Sequence, residues 1–253
     1  MEEKKNIYFV SDSHFGVPDY ESSLKREKLF VRWLDEIKVD AKEIYFLGDI
    51  FDFWFEYKTV VPKGYVRLLG KLAEIADSGI PIYYFKGNHD MWMFDYFPKE
   101  LGIPLFREPL TKIYNGKKFF IAHGDGIGPG DRGYKLIKKI FSNPVCQWLF
   151  ARIHPNFAIK LALFLSRKSR YSRGSDDNYF HGEDAPKERL ITFAKNKLKE
   201  EHFDFFIFGH RHFPIDMIIG NNTRYINIGD WITHFSYVVF DGENLELKKY
   251  KHS

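Results

Sequence analysis

Short apolar runs that end in polar residues recur in the first third of the chain. These runs occupy residues 6–10, 44–47 and 82–85. Runs of this length bounded by Gly, Ser or Asp are typical of buried strands. Between them lie two stretches, at about 22–37 and 64–77, whose apolar side chains are spaced for one face of a helix. The resulting βαβαβ order predicts a sheet flanked by helices.

The pattern changes to hairpins after a short predicted helix near residues 91–101. The dipeptide Asn115-Gly116 lies between two apolar runs and favours a type I′ hairpin turn. The second of these runs, 119–122, again ends in polar residues. We therefore expect a hairpin whose second strand also delivers polar side chains at its end.

The second half of the chain is predicted to begin with helices and to end with strands. Residues 130–170 are predicted to form two or three helices, interrupted by Pro144 and Pro155. A helix over about 184–201 leads to a strand at 205–208, and three further strands are expected after it. The helices at 130–170 would therefore be inserted between strands of the sheet region.

Length and charge indicate one domain with a distinct basic segment. A chain of 253 residues suits a single domain over 1–253, or a core with an insertion. Ten Lys or Arg and no acidic residue lie between residues 132 and 174, and the other 28 of the 38 basic residues are outnumbered by 34 acidic ones. This asymmetry favours a local anionic partner over a generally cationic protein.

The sequence carries no pattern typical of export or of crossing a membrane. No signal-peptide hydrophobic region follows the first residues, and no apolar run approaches the ~20 residues needed to cross a bilayer. The single cysteine, Cys146, excludes a disulfide framework and is expected to be a small buried residue. We therefore expect a cytoplasmic protein.

Polar side chains with metal-binding chemistry follow five of the predicted strands. They are Asp12 and His14, Asp49, Asn88 and His89, His123, and His210 and His212. In an Asp-x-His or His-x-His pair on extended chain, both side chains point to the same side and can reach one metal or two adjacent metals. Two metals about 3.5–4 Å apart suit phosphate-ester hydrolysis, because they clamp the phosphoryl oxygens. Mixed His, Asp and Asn ligands suit Mn, Fe or Zn better than Mg or Ca.

Each of these motifs has an ordinary structural interpretation when it stands alone. Asp12 could cap a turn or a helix, and Asn88 could cap the helix that follows it. A lone His123 or His210 could be an ordinary hydrogen-bonded histidine. The joint occurrence of five such motifs after apolar strands favours the metal site.

Taken together, the motifs resemble the signature of the calcineurin-like metallophosphoesterases. The matching segments are Asp12-x-His14, Gly48-Asp49-x-x-Asp52, Gly87-Asn88-His89-Asp90, His123-x-Asp125 and Gly209-His210-x-His212. The resemblance implies an α/β fold, more closely an α+β sandwich, in which two packed mixed β-sheets are flanked by helices and carry a two-metal site.

The resemblance also implies a role for each matching residue. Asp12, His14 and His212 would hold one metal, Asn88, His123 and His210 the other, and Asp49 would bridge them. Asp49 and His89 would be catalytic, with His89 stabilising transition-state charge or assisting the leaving oxygen. Asp52 and Asp125 would orient ligating histidines. The cofactors would be two divalent metal ions, with Mn²⁺ as the expected metal.

Residues 130–175 are here called the insertion. The resemblance to one subfamily is carried by the loop 123–134, by Asn143-Pro144-x-x-Gln147-x-Leu149-Phe150 and the basic stretch 167–169 of the insertion, and by the run 48–54. These segments resemble the subfamily with a helical lid that cleaves the pyrophosphate bond of UDP-2,3-diacylglucosamine to UMP and lipid X in lipid A biosynthesis. The implied substrate contacts are Asn88, His89, Asp131, Tyr134 and Ser169. One difference concerns position 89, which is His here and Arg in the best-known members.

The insertion also predicts a lipid partner. Apolar residues at 157–165 are interleaved with Lys, and Arg and Lys follow them, so helices there could accept acyl chains and meet an anionic membrane surface. We therefore expect a UDP-linked diacylated glucosamine lipid as substrate. We also expect a monomer located peripherally on the cytosolic face of the inner membrane.

Three alternatives stay open on the sequence. The insertion could pack on the domain and present only a solvated basic face. Basic residues with interleaved aromatics also suit nucleic acid, so the enzyme could be another two-metal phosphodiesterase, although the aliphatic run 159–165 favours lipid. The sheet edge could also be a scaffold for a protein partner, against which the complete set of metal ligands argues.

Overall fold

Eleven strands form two sheets within the residues that the computed structural model describes, which are 5–130, 132–172, 188–220 and 222–251. The strands are β1 (Asn6–Val10), β2 (Ala41–Phe46), β3 (Ile82–Phe85), β4 (Leu105–Phe106), β5 (Leu110–Tyr114), β6 (Lys117–Ala122), β7 (Phe205–Phe208), β8 (Ile215–Ile219), β9 (Thr223–Asn227), β10 (Ser236–Phe240) and β11 (Leu245–Lys249). One sheet has the order β11-β10-β1-β2-β3-β4, and the other has the order β5-β6-β7-β9-β8.

Both sheets are mixed, with parallel strands at their centres. Strands β1 to β4 run parallel to one another, and β10 joins β1 in antiparallel register. In the second sheet β6, β7 and β9 are parallel, with antiparallel strands at both edges. Central parallel strands are covered on both faces, which is why their sequences are almost continuously apolar. The carboxyl ends of these strands carry the predicted site residues.

Seven helices accompany the sheets in the described part of the chain. They are α1 (Tyr20–Ile37), α2 (Val66–Asp77), α3 (Tyr96–Glu100), α4 (Arg132–Phe141), α5 (Pro144–Phe150), α6 (Pro155–Ser172) and α7 (Arg189–Lys197). Asp19 caps α1 by accepting a hydrogen bond from the Ser22 amide, which satisfies one of the free donors at the helix start. Helices α1 and α2 bury their apolar faces on the outer side of the first sheet.

The two sheets face each other across an apolar core. Phe9 and Tyr45 of the first sheet stack with centroids 4.9 Å apart. Phe119 of the second sheet lies 6.3 Å from Phe9 and 5.0 Å from Phe240. Aromatic pairs at such distances add to the gain from burial. This core holds the sheets together and fixes the relative positions of their strand ends.

The predicted fold is confirmed: two mixed sheets flanked by helices. Several details of the expectation are wrong. Four strands follow β7 rather than three, because Gly229 and the turn after it separate β9 from β10. The short helix covers only Tyr96–Glu100, and the two-residue strand β4 was not predicted. Cys146 is half-buried rather than buried.

Within the insertion, helices α4 and α5 are fixed to the core by aromatic contacts. The Trp92 indole Nε1 donates to the Phe141 carbonyl at 2.7 Å. The Phe150 ring lies 4.7 Å from Trp92 and 4.8 Å from Phe55, between ring centroids. Pro144 and Pro155 begin α5 and α6, where a missing amide hydrogen costs nothing. That residues 130–175 act as a lid stays a prediction.

Within the same described residues, no helix is long and apolar enough to cross a membrane.

The hairpin of β5 and β6 offers a matched test of the sandwich core. Ile121 is 0% exposed between the sheets, whereas Ile113 on the neighbouring strand is 66% exposed. We expect Ile121→Ala to lower the free energy of unfolding by about 2–5 kcal/mol, because it removes buried methyl groups and leaves a cavity. Ile113→Ala should change it by less than about 0.5 kcal/mol. Urea unfolding followed by circular dichroism measures both, and equal effects would contradict the two-sheet packing.

Candidate metal centre

Five loops converge at one edge of the sandwich, and each begins where a strand of the core ends. The loops follow β1, β2, β3, β6 and β7. The loops carry the predicted metal ligands. Five of these ligand residues have positive φ angles: Asp12 (53°), His14 (42°), Asp49 (54°), His210 (70°) and His212 (57°). Non-glycine residues adopt this conformation rarely, and such strain clusters at functional sites.

The first group of side chains consists of Asp12, His14 and His212, whose ligand atoms lie within 4.8 Å of one another. The Nε2 atoms of His14 and His212 are 3.1 Å apart. His212 Nε2 lies 3.3 Å and His14 Nε2 lies 3.8 Å from Asp12 Oδ1. One carboxylate oxygen and two imidazole nitrogens therefore face a single point.

The second group consists of Asp49, His123 and His210, again within 4.8 Å. His123 Nε2 is 3.3 Å from Asp49 Oδ2, and the same oxygen is 3.8 Å from His14 Nε2 of the first group. Asp49 Oδ2 is thus shared between the two groups, as the predicted bridging role requires. A third group consists of His14, Asp49 and His89. The ring centroids of His14 and His89 are 4.6 Å apart.

Backbone amides bind one oxygen of the Asp49 carboxylate and one oxygen of the Asp12 carboxylate, so that only the other oxygen of each faces the neighbouring ligand atoms. Asp49 Oδ1 accepts from the His89 amide at 2.8 Å, and Asp12 Oδ2 accepts from the His210 amide at 2.8 Å. His123 Nδ1 donates to the Leu47 carbonyl at 2.5 Å, which leaves Nε2 as the nitrogen that can ligate. Gly87 allows the close approach of Asp49, since a Cβ there would clash with the carboxylate.

The buried polar atoms that lack hydrogen bonds fit a metal centre. Among the described residues, Asp12 Oδ1, Asn88 Oδ1 and His123 Nε2 are buried and have no hydrogen-bond partner. Buried polar groups are normally paired, so three such atoms in adjacent loops require an explanation. Cations bound at the two groups would satisfy these atoms, and the mixture of nitrogen and oxygen donors fits first-row divalent metals.

Burial and charge set the protonation of the centre. Burial alone would raise the pKa of Asp49, but the neighbouring imidazoles, His123 first, hold it well below its usual range. Burial alone would lower the pKa of His123, yet Asp49 outweighs it and raises the pKa to about 10. For His210, burial and the charge of His123 lower the pKa to about 3. The shared carboxylate is therefore ionised, the form that binds cations.

The two predicted orienting carboxylates have different surroundings. Asp52 Oδ1 lies 3.3 Å from His14 Nδ1 and 3.6 Å from His89 Nδ1. Asp125 instead contacts the insertion: its Oδ2 accepts from the Tyr134 hydroxyl at 2.7 Å and pairs with Lys138 Nζ at 2.7 Å. The orienting role fits the contacts of Asp52 and stays a prediction for both residues.

The structure describes only some of the predicted substrate contacts. Asn88 and His89 lie in the loop after β3, among the other site residues. The Tyr134 ring centroid is 6.3 Å from that of His210. Asp131 and the side chain of Ser169 lie outside the described residues. The contact roles of all five stay predictions.

Sequence reasoning missed three residues that hold the loops. Asp230 Oδ2 lies 3.7 Å from His212 Nδ1, while its Oδ1 accepts from the Thr233 and His234 amides at 2.8 and 2.9 Å. Burial raises the pKa of Asp230, but these hydrogen bonds prevail and lower it to about 2. Arg26 of α1 donates to the carbonyls of His14 at 3.1 Å and Val17 at 2.6 Å.

Asp90 is the third missed residue. Its Oδ1 accepts from the Gly87 amide at 2.7 Å, and its Oδ2 accepts from the Ile50 amide at 3.0 Å and the Tyr84 hydroxyl at 2.6 Å. It therefore joins the loops after β2 and β3. Asp90 had a sequence signal in the segment Gly87-Asn88-His89-Asp90, and Asp230 had one in the segment Gly229-Asp230-Trp231-x-x-His234, which follows a late strand.

Comparisons with known proteins indicate the family of the chain. The sequence profile of the calcineurin-like phosphoesterase family matches residues 5–214. A UDP-2,3-diacylglucosamine hydrolase from Porphyromonas gingivalis is 40% identical over 97% of both chains. One of the same name from Vibrio atlanticus is 27% identical over 95% of this chain and 96% of its own. Among solved structures, Yfce, a phosphoesterase from E. coli, has a TM-score of 0.44 at 17% identity, covering 95% of this chain and 90% of that one.

Metal binding is tested by a matched pair of histidine substitutions. We expect His123→Gln to lower the affinity for divalent metal by at least about tenfold, because it removes a buried nitrogen that faces Asp49. His202→Gln, at a histidine whose side chain is 68% exposed, should leave binding unchanged. Titration calorimetry with Mn²⁺ and elemental analysis after dialysis measure both variants. Equal metal content in both would show that the centre does not ligate through His123.

Proposed function

The chain belongs to the calcineurin-like phosphoesterase family of hydrolases, and from this we propose that it cleaves the pyrophosphate bond of UDP-2,3-diacylglucosamine, releasing UMP and 2,3-diacylglucosamine 1-phosphate. The observation that carries the proposal is the 40% identity to the Porphyromonas gingivalis hydrolase over 97% of both chains. The grouping of the seven predicted ligands at one edge of the two-sheet sandwich supports it.

The metals would be held in two adjacent positions. Asp12, His14 and His212 would hold one ion, Asn88, His123 and His210 the other, with Asp49 shared between them. When bound, divalent ions supply positive charge against the phosphoryl oxygens. We propose Mn²⁺, since the set contains both imidazole nitrogens and carboxylate oxygens.

His89 is proposed to act on the substrate rather than to hold metal. Its Nδ1 lies 2.9 Å from the Asp52 carbonyl, which can only accept, so Nδ1 carries the proton when the ring is neutral. The other ring nitrogen, Nε2, is then available to the substrate. Burial lowers the pKa of His89 to about 4, so the ring is neutral until the charge of the substrate is present.

The insertion is proposed to receive the acyl chains and the membrane surface. Of its described residues, eleven large apolar side chains are exposed to solvent. They are Leu136, Ile137, Ile140, Phe141, Val145, Trp148, Leu149, Phe157, Leu161, Phe164 and Leu165. Residues 132–174 of the insertion carry ten basic and no acidic side chains, a combination that suits the surface of an anionic bilayer. Peripheral binding at the cytosolic face of the inner membrane follows as part of the proposal.

The release of UMP tests substrate and site together. We expect the protein with Mn²⁺ to release UMP from UDP-2,3-diacylglucosamine, and Asp49→Ala to lower kcat/KM by at least about a thousandfold, because the shared ligand is lost. Asp77→Ala, at the exposed end of α2, is the matched control and should retain full activity. Chromatographic detection of UMP gives the rates, and thermal unfolding verifies that each variant folds.

Other outcomes discriminate between the candidate functions. Hydrolysis of cyclic nucleotides or nucleic acid without UMP release would retain the metal centre and reject the lipid substrate. Full retention of turnover in Asp49→Ala would reject the centre itself. Absence of any metal-dependent hydrolysis would favour a scaffold.

Membrane binding has a separate test, again with matched substitutions. Phe157 on α6 and Ile218 on β8 are 62% and 59% exposed. We expect Phe157→Glu to weaken binding to vesicles containing phosphatidylglycerol by about 10- to 100-fold, since it removes apolar area and adds repulsion. Ile218→Glu should have little effect. Sedimentation with vesicles measures both, and equal weakening by the two variants would place the membrane surface elsewhere.

A further inference from the structure

One hydroxyl of the insertion reaches the candidate centre. Ser166 lies on α6, and its Oγ is 3.3 Å from Asp52 Oδ2 and 3.3 Å from His89 Nδ1. These partners are 114 and 77 residues away along the chain. We propose that Ser166 is a positioning residue through which helix α6 fixes the ring of His89.

The chemistry of the three groups sets the direction of the hydrogen bonds. The Asp52 carboxylate only accepts, so the Ser166 hydroxyl directs its hydrogen to Asp52 Oδ2. Its lone pairs then face His89 Nδ1, whose hydrogen also points to the Asp52 carbonyl at 2.9 Å. The ring is thus held from one side by two acceptors: the Asp52 carbonyl sets its tautomer, and the added contact with Ser166 fixes its rotation.

The position of α6 explains how a distant helix can reach this ring. Ala158 near the start of the helix is 0% exposed and packs into the protein. Ser166 is eight residues later, about 12 Å along the helix axis. Phe164 and Leu165 between them are exposed, so the helix turns apolar side chains to solvent and a hydroxyl to the centre.

Through Ser166 the insertion contacts His89, one of the two predicted catalytic residues. Asp52 Oδ1 also lies 3.3 Å from His14 Nδ1, so Ser166 could in principle act on metal retention through Asp52. The direct contact with His89 favours an effect on turnover. The two routes differ in what they change: metal affinity in the first, kcat at full metal occupancy in the second.

The proposal rests on hydrolysis by this centre but not on the lipid substrate, so the small diester bis(p-nitrophenyl) phosphate is the probe. With Mn²⁺ saturating, we expect Ser166→Ala to lower kcat about 3- to 10-fold with KM nearly unchanged, the effect of one hydrogen bond. Ser142→Ala, at a serine near the end of α4, is the matched control and should leave kcat unchanged.

A double-mutant cycle with His89→Gln tests whether Ser166 acts through His89. If Ser166 acts through His89, adding Ser166→Ala to His89→Gln lowers kcat by less than about twofold further. An undiminished 3- to 10-fold loss in that background would overturn the proposal. Weaker Mn²⁺ binding by Ser166→Ala, measured by calorimetry, would also overturn it and assign the serine to metal retention.

A spectroscopic readout needs no turnover. In metal-free protein with ¹⁵N-labelled histidine, the long-range ¹H–¹⁵N spectrum should show His89 as one tautomer protonated at Nδ1. Its signals are assigned by their absence in His89→Gln. In Ser166→Ala they should broaden or shift, because the Nδ1 hydrogen loses one of its two acceptors and the ring is held less firmly. Identical His89 signals in the wild type and Ser166→Ala would reject the positioning role, whatever the substrate proves to be.

Discussion

The Asp49 carboxylate is buried between two groups of imidazoles, and a buried charge is costly unless it is paired and hydrogen-bonded. One oxygen is satisfied by the His89 amide, and the other faces His123 and His14. This requirement fixes the loops after β1, β2, β3 and β6 relative to one another. The sandwich core, with Phe9 against Phe119, holds the two sheets at the spacing that these contacts need.

Several residues around the Asp49 carboxylate have strained backbone conformations, and neighbouring side chains stabilise them. The left-handed backbone of Asp12, Asp49 and His210 is unfavourable by itself. It is maintained by neighbouring contacts that do not face the centre, such as Asp90 between two loops and Arg26 beneath the first. These contacts hold the loops that carry the ligand atoms through groups that do not themselves face the centre. Preorganisation of this kind is what a catalytic centre requires.

Sequence reasoning could predict the sheets and the ligand motifs because both are local. Apolar runs ending in Asp or His predicted β1, β2, β3, β6 and β7 together with the residues after them. It missed β4, which has only two residues and is made by pairing with β3. Asp230 and Ser166 were also missed, because their significance comes from contacts with residues 18 and 77 positions away. No periodicity or motif encodes such a contact.

The insertion has two kinds of surface: exposed apolar side chains, and polar side chains that contact the centre. It exposes large apolar side chains, which a soluble surface normally avoids in one contiguous segment. It also sends Ser166 to His89 and Lys138 to Asp125, on either side of the centre. Large contiguous exposed apolar patches mark surfaces that bind a partner, whereas the polar contacts of the insertion are made within the chain. A lipid that covered the exposed apolar face would therefore bind the same segment that contacts His89 and Asp125. Binding of such a substrate would then be coupled to the positions of side chains at the centre.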